Sequence, residues 1–140
     1  MNYILADFVV KFNTSTKKHV EFFFVPYSNI NIKIIRLLFN YRCINAFFVE
    51  FNALSHKLHI KIIPVYLDSK SLIKSVELVS RPGLRIFWTA KNMSVQLSRN
   101  NFRGFYILTT SSGICSSHEL LIAHILDKPI SGEILLKINL

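Results

Sequence analysis

Val79-Ser80-Arg81-Pro82-Gly83-Leu84-Arg85-Ile86 and Gly104-Phe105-Tyr106-Ile107-Leu108-Thr109-Thr110-Ser111-Ser112-Gly113-Ile114 are the two stretches around which the chain organises itself. The first predicts a tight turn running into a strand. Pro82 presets φ at the second turn position, and Gly83 accepts the positive φ that a type II turn needs next. Arg81 and Arg85 then project charge from either side of the bend. The second stretch is an apolar run, Phe105 to Leu108, strand-like in length and content. It ends in Thr109, Thr110, Ser111 and Ser112, followed by Gly113. Short hydroxyls beside a glycine let a backbone lie close to a ligand and offer both donors and acceptors, which suits a nucleic-acid backbone or base edge. The same residues also make an ordinary strand-to-helix turn capped by Ser116. Position favours the ligand: the loop is expected at the N-terminus of a helix over 117–126, where free N–H groups and the dipole attract phosphate. Arg81, Arg85 and Lys91 are the expected cations there, and a bidentate guanidinium contact adds geometric selectivity.

Outward from that centre, the second half of the chain predicts strands over 76–79, 84–88 and 105–109. A polar stretch, Thr89 to Asn101, holds a short helix over 93–97. Ser116 and Glu119 have the spacing of a capping box for the 117–126 helix, which ends before Pro129, and Gly132 opens a last strand over 133–138. In the first half, Ile4, Phe8 and Phe12 with Leu5 and Val9 make a helical stripe over 3–12. A polar turn over 13–18 leads to a strand over 20–25 that Pro26 closes. Ser28 is the N-cap of the clearest helix, 29–42. One face carries Ile30, Ile34, Leu37, Leu38 and Tyr41, and the opposite face Asn29, Lys33, Arg36 and Asn40. Ile32, Ile35 and Phe39 widen the apolar side, so either a sheet covers both flanks or a protein neighbour covers one. Residues 44–51 and 58–66 form a hairpin, with Pro64 marking an edge strand or a bulge. Asp68-Ser69-Lys70-Ser71 is the candidate linker. The fold class is α+β in two small subdomains: 1–67, α-β-α-β-β, and 68–140, mostly β with short helices and expected to carry the nucleic-acid-binding function.

Composition bounds the partners. In 140 residues, 17 Lys and Arg face 8 acids, a formal charge of +9 with pI near 9.8. Excess cation on so small a chain releases counterions on binding a polyanion, so nucleic acid is the expected partner. Hydrophobic residues at 51% are enough for a real core. No apolar run approaches the ~18 residues that span a bilayer, and no removable leader is evident. Cys43 and Cys115 follow no ligand spacing and are expected as buried free thiols, which fits a reducing compartment. His56 and His59 would point to opposite faces of a strand, and His118 and His124 do not share a helix face, so no metal centre is expected. The hydroxyl loop matches neither a nucleophile elbow nor a P-loop. Catalysis, cofactors and small-molecule substrates are therefore not expected. Abundant Phe, Ile, Asn and Lys with scarce Gly and Ala reflect A/T-rich codons, as in an organelle genome.

At these residues the chain resembles ribosomal protein eight of the small subunit, in its bacterial and organelle form. Carrying the likeness are Val79 to Ile86 and Gly104-x-x-Ile107-Leu108-Thr109-Thr110-x-x-Gly113-Ile114, with Pro26-x-Ser28 and Gly132-Glu133-Ile134 in order and spacing. The resemblance implies an α+β protein that binds small-subunit ribosomal RNA early in assembly, with neighbouring ribosomal proteins as further partners. It implies that Thr109, Thr110, Ser111 and Gly113 contact RNA, that Ser80, Arg81, Pro82 and Gly83 brace that contact, and that Lys11 matches a basic residue of the first helix. Ser112 stands where relatives carry Lys, Cys115 replaces a larger aliphatic residue, and Leu120 and Leu121 replace a small residue and an Arg. Those departures remove phosphate contacts and are expected to add apolar surface, with protein contacts offsetting weaker RNA affinity. With the A/T-driven composition they suggest a mitochondrial ribosome, a plastid being the runner-up. The alternatives are a non-ribosomal RNA-binding or regulatory module and a Phe-rich protein at a membrane surface.

Overall fold

The computed structural model describes residues 2–100, 103–126 and 131–140. Two compact units emerge, Tyr3–Lys74 and Ser75–Leu140.

The first unit opens with the expected α-β-α-β-β order and adds two short strands after it. Helix α1, Asn2–Lys17, buries Leu5, Phe8 and Phe12, a stripe at three- and four-residue spacing. It runs through the stretch expected as a polar turn. There the Thr16 hydroxyl, itself buried, donates to the Phe12 carbonyl at 3.0 Å, so the helix absorbs a residue that would otherwise favour a turn. Strand β1, Phe23–Pro26, follows, shorter than expected, and Phe12 meets Phe23 edge-on at 5.5 Å between centroids. Ser28 caps α2, Asn29–Asn40, by accepting the Asn31 N–H at 3.1 Å. The helix stops before Arg42, which adopts φ 59°. Ile32 and Ile35 are buried with Ile34, Leu37 and Leu38, so most of both apolar flanks is covered within the chain. Phe39 stays exposed on one side while its ring packs against Phe47 at 5.5 Å.

Strands β2, Ile44–Asn52, and β3, Lys57–Pro64, form the expected hairpin, and the antiparallel sheet runs β1-β3-β2. Pro64 therefore ends the middle strand, and the pairing shifts between Ile44 and Ala46 opposite it; a bulge, not an edge, accommodates the missing N–H. The Asp68–Ser71 stretch is ordered rather than loose. Strands β4, Tyr66–Leu67, and β5, Lys70–Ser71, pair around Asp68 and Ser69, whose φ values of 51° and 64° suit a two-residue hairpin turn.

The second unit contains β6, Ser75–Leu78; β7, Phe87–Thr89; α3, Ala90–Arg99; β8, Phe105–Thr110; β9, Gly113–Ser116; α4, Ser117–Ile125; and β10, Ser131–Asn139. Its antiparallel sheet runs β6-β10-β8-β9, with β7 pairing the start of β10. The helices cover a core of Met93, Leu97, Tyr106, Leu108, Leu120 and Ile134, on which Trp88 packs edge-on to Tyr106 at 5.0 Å. The α+β class is as expected. The short helix expected at 93–97 is longer, because Thr89 caps it by accepting the Asn92 N–H at 3.4 Å. Asn101 and Pro129, expected to end the polar stretch and to follow the last helix, lie outside the described residues.

One close approach holds this sheet together at the end that matters. A Cβ on Gly132 would sit 2.6 Å from the Thr109 carbonyl oxygen and 2.9 Å from side-chain carbons of Leu108 and Thr110. The nearest of these is backbone, which cannot swing aside. Gly132→Ala is therefore expected to destabilise the protein by about 1–3 kcal/mol, read as a lower urea midpoint at unchanged slope.

Candidate nucleic-acid interface

The bend begins with Ser80. Its hydroxyl is 1% exposed and is used twice: it accepts the Ile86 N–H at 3.0 Å and donates to the Ile86 carbonyl at 3.3 Å. Backbone bonds then close the turn both ways, Arg81 N–H to the Leu84 carbonyl at 2.9 Å and Leu84 N–H to the Arg81 carbonyl at 3.0 Å. Pro82 occupies the position where a fixed φ helps. Gly83 does not adopt the left-handed φ of the expected type II turn, and a Cβ there would meet nothing within 4 Å. The turn closes without a left-handed residue, as a type I geometry allows. Arg81, Pro82 and Gly83 are exposed, and Ser80 holds them from behind.

Thr109 to Gly113 forms a tight β-hairpin joining β8 to β9, with Thr110 opposite Gly113. Gly113 has φ 109°, which an L side chain rarely adopts, so glycine is needed for the reversal. The Thr110 hydroxyl is spent inside the turn, donating to the Gly113 carbonyl at 3.1 Å and accepting the Ser112 N–H at 3.1 Å. Ser111 and Ser112 stand exposed at the tip.

This arrangement corrects the expected placement at a helix N-terminus. Strand β9 intervenes, and four residues at about 3.3 Å each separate the tip from α4 by roughly 10–13 Å. Ser116 caps α4 by accepting the Glu119 N–H at 3.3 Å. Both Ser116 and Ser117 are fully buried, and the Ser117 hydroxyl accepts the Tyr106 N–H at 3.2 Å. The helix entrance is closed by its own chain, so its dipole offers no phosphate site at the hydroxyl loop.

Bend and hairpin do come together, through the start of β10. Glu133 lies opposite Thr109 on one side and Phe87 on the other. The Ile134 N–H donates to the Ile86 carbonyl at 2.8 Å, and the Ser80 N–H to the Ile134 carbonyl at 3.1 Å. Two inter-strand spacings put the two segments about 10 Å apart. Arg85 donates to Glu133 at 2.9 Å, with the Glu133 side chain only 13% exposed. Arg85 therefore pins the bend to β10 and is largely neutralised, and the expected pair of free guanidinium groups reduces to Arg81. Lys91 is exposed in the first turn of α3. Lys11 belongs to the first unit, where it pairs with Asp7 one helical turn away at 3.1 Å, both half-exposed.

Beside the hairpin, Thr110, Ser112, Ile114, Cys115, Glu119 and Leu120 line a small cleft. Burial pushes the Cys115 thiol up from its ordinary range and the Glu119 carboxylate adds to this, while a hydrogen bond with Thr110 opposes it. Burial alone raises Cys43, and both cysteines are free. Cys43 is fully buried as expected, but Cys115 only partly so. Leu120 does not add apolar surface: it is 1% exposed and belongs to the core, with Leu121 packed against it. Ile122, Ile125 and Leu126 are large apolar residues of that helical region that stay exposed, and sequence reading missed them because it weighed only the departures from a pattern.

Residues 4–138 match the family model described as Ribosomal protein S8. The chain belongs to that family. A small ribosomal subunit protein uS8 of Cytophaga hutchinsonii is 32% identical over 82% of this chain and 86% of its own length. One of Anaplasma phagocytophilum is 29% identical over 94% of this chain and 92% of its own. The form named uS8m in Acanthamoeba castellanii, a mitochondrial one, is 29% identical over 82% of each. Among the described residues, no group of three or more His, Cys, Asp or Glu could hold a metal, and no helix is long and apolar enough to cross a membrane.

The two glycines of this interface differ in what they do for the fold. Gly83→Ala is expected to leave the folding free energy within about 0.5 kcal/mol, since its Cβ enters open space. Gly113→Ala is expected to cost about 1–3 kcal/mol through its backbone angle. Denaturation curves of the two variants side by side check the contrast.

Proposed function

We propose that this chain is a structural component of the small ribosomal subunit that grips small-subunit ribosomal RNA with its carboxy-terminal unit. Thr109, Ser111, Ser112 and Gly113 supply the contact surface at the hairpin, and Arg81, Pro82 and Gly83 flank it. Ser80, Thr110 and Arg85 keep that surface rigid and Lys91 contributes charge there, while Lys11 contributes charge on the amino-terminal unit. Neighbouring ribosomal proteins complete its surroundings. The observation that carries this reading is the division of labour among hydroxyls: those of Ser80 and Thr110 are consumed inside the bend and the turn. Ser111 and Ser112 remain outside on a turn whose geometry is already settled. A donor and acceptor held rigidly before binding loses less entropy on contact than one on a mobile loop. Recognition by shape follows, with the tip reading an irregular RNA helix where base edges are reachable.

The compartment we infer is the mitochondrion, with a plastid ribosome as runner-up. Twelve Phe against four Gly in 140 residues is the imprint of A/T-rich coding, and an amoebal mitochondrial form is among the relatives. Sedimentation of organelle lysates tests this: the chain is expected to co-migrate with mitochondrial small subunits, and free migration at the top of the gradient would favour a non-ribosomal module.

Two substitutions test the interface. Ser111→Ala is expected to weaken binding to the cognate RNA fragment by about 1–3 kcal/mol, the cost of leaving an RNA group unpaired. Unchanged binding in a filter or fluorescence titration would remove the tip from the interface. Arg81→Ala is expected to weaken binding and to lower the slope of log affinity against log salt by roughly one. An unaltered slope would mean that Arg81 meets no phosphate.

A further inference from the structure

We infer that the open face of the three-stranded sheet in the first unit is a stacking platform for unpaired RNA bases. This rests on the chain being an RNA-binding protein, but uses none of the residues of the carboxy-terminal interface. Pairing registers define the face. Lys61 on the middle strand lies directly between Phe24 on β1 and Phe48 on β2, and His59 lies between Pro26 and Glu50. The opposite face carries Phe23, Ile60 and Ile62, all buried, and the helix residues Phe12 and Phe39 pack on that side against Phe23 and Phe47. Neither of these two helix contacts reaches the open face.

What the open face holds is unusual for a solvated sheet. Phe24 is 41% exposed and Phe48 51%, and Phe22, just ahead of β1, is 42%. Lys61 sits over the Phe22 ring at 4.3 Å from its centroid, Phe22 meets Phe24 edge-on at 5.6 Å, and Phe24 meets His59 at 4.5 Å. Phe22, Phe24 and His59 are thus held in place by one another rather than free to collapse. Glu50, the acid on this face, lies 3.4 Å from His59.

Charge decides between the possible occupants. The centre of the patch is a lysine, and cores of protein–protein interfaces are depleted of lysine because its desolvation is costly. An RNA strand instead brings phosphate to the cation and flat bases to the rings. Base–aromatic stacking tolerates any sequence because every base has a π-face. The unit also carries the greater share of the charge: ten of the seventeen Lys and Arg, but only four of the eight acids, precede Ser75. Lys57 extends the same row of β3, and Lys11 lines a cleft with Phe24, Pro26, Lys57 and His59, so phosphates leaving the platform meet further cations.

The test uses the full chain and a labelled single-stranded oligo(U) twelve nucleotides long. The native chain is expected to bind it. Phe24→Ala with Phe48→Ala should weaken that binding by 10-fold or more at an unchanged salt slope, while Lys61→Gln should lower the slope by about one. Phe24→Leu with Phe48→Leu keeps the apolar cover and removes the rings. A loss in that variant too, with unchanged circular dichroism, assigns the effect to stacking. Ultraviolet crosslinks to the oligonucleotide are expected in the peptides containing Phe24 or Phe48. Native-like oligonucleotide binding by both double variants would overturn the proposal. So would their loss of small-subunit co-sedimentation with oligonucleotide binding intact, which would make the face a protein contact. Failure of the native chain to co-sediment at all would instead strike the ribosomal reading, whereas the platform stands or falls on oligo(U) binding by the Phe24 and Phe48 variants.

Discussion

The carboxy-terminal unit depends on the approach of β10 to the end of β8, where Gly132 presses against the Thr109 carbonyl. Strand β10 is the one that β6, β7 and β8 all pair with. Its first residues therefore set where the bend and the hairpin stand relative to each other. Any side chain at Gly132 would push β8 outward, and with it the turn that Thr110 ties shut. Backbone contact of this kind transmits position more faithfully than side-chain packing, because neither partner has rotamers to give. Arg85 and Glu133 add a second tie at the same place. Their pairing is half-exposed on the arginine side, and its contribution to stability is screened by solvent. Its effect is to orient the bend.

Much of this architecture was legible in the sequence, and what was not has identifiable causes. Alternating and helical apolar patterns placed the first five elements of the first unit in order, though not the short strands β4 and β5. Ser28 and Ser116 were readable as caps because a hydroxyl before an apolar run has few other uses. Strand β9 was missed: Gly113-Ile114-Cys115-Ser116 is too short to show a period, and its last residue, Ser116, already announced a helix. Missing it moved the hydroxyl loop to a helix end where it does not lie. Gly83 misled for a different reason. Pro-Gly strongly suggests a left-handed second residue, yet the turn is closed by paired backbone bonds between Arg81 and Leu84 that do not require one. The burial of Ser80 and the Arg85–Glu133 pair follow from contacts across the sheet, which local patterns do not reach.

Charge and shape are divided unevenly between the units, and this bears on how each is proposed to meet RNA. The carboxy-terminal unit has seven Lys and Arg against four acids, and one of its arginines is already committed to Glu133. Counterion release from so few free cations supplies limited affinity. On the proposed reading a rigid hydroxyl tip compensates through fit, since donors fixed in advance select one RNA shape and reject others. The amino-terminal unit, with more charge and exposed rings, fits the opposite regime, in which affinity is high and sequence preference low.

The departures at Leu120 and Leu121 make the same point from inside the fold. Leu120 is withdrawn into the core with Leu108 and Ile134 and packs beneath the hairpin, while Ile122, Ile125 and Leu126 stay exposed on the same helical region. On the proposed RNA-binding reading, that packing supplies rigidity under the tip rather than charge. A firmer floor lowers the entropy lost on binding without adding a contact, and an interface poor in cations can keep its specificity while its salt dependence falls.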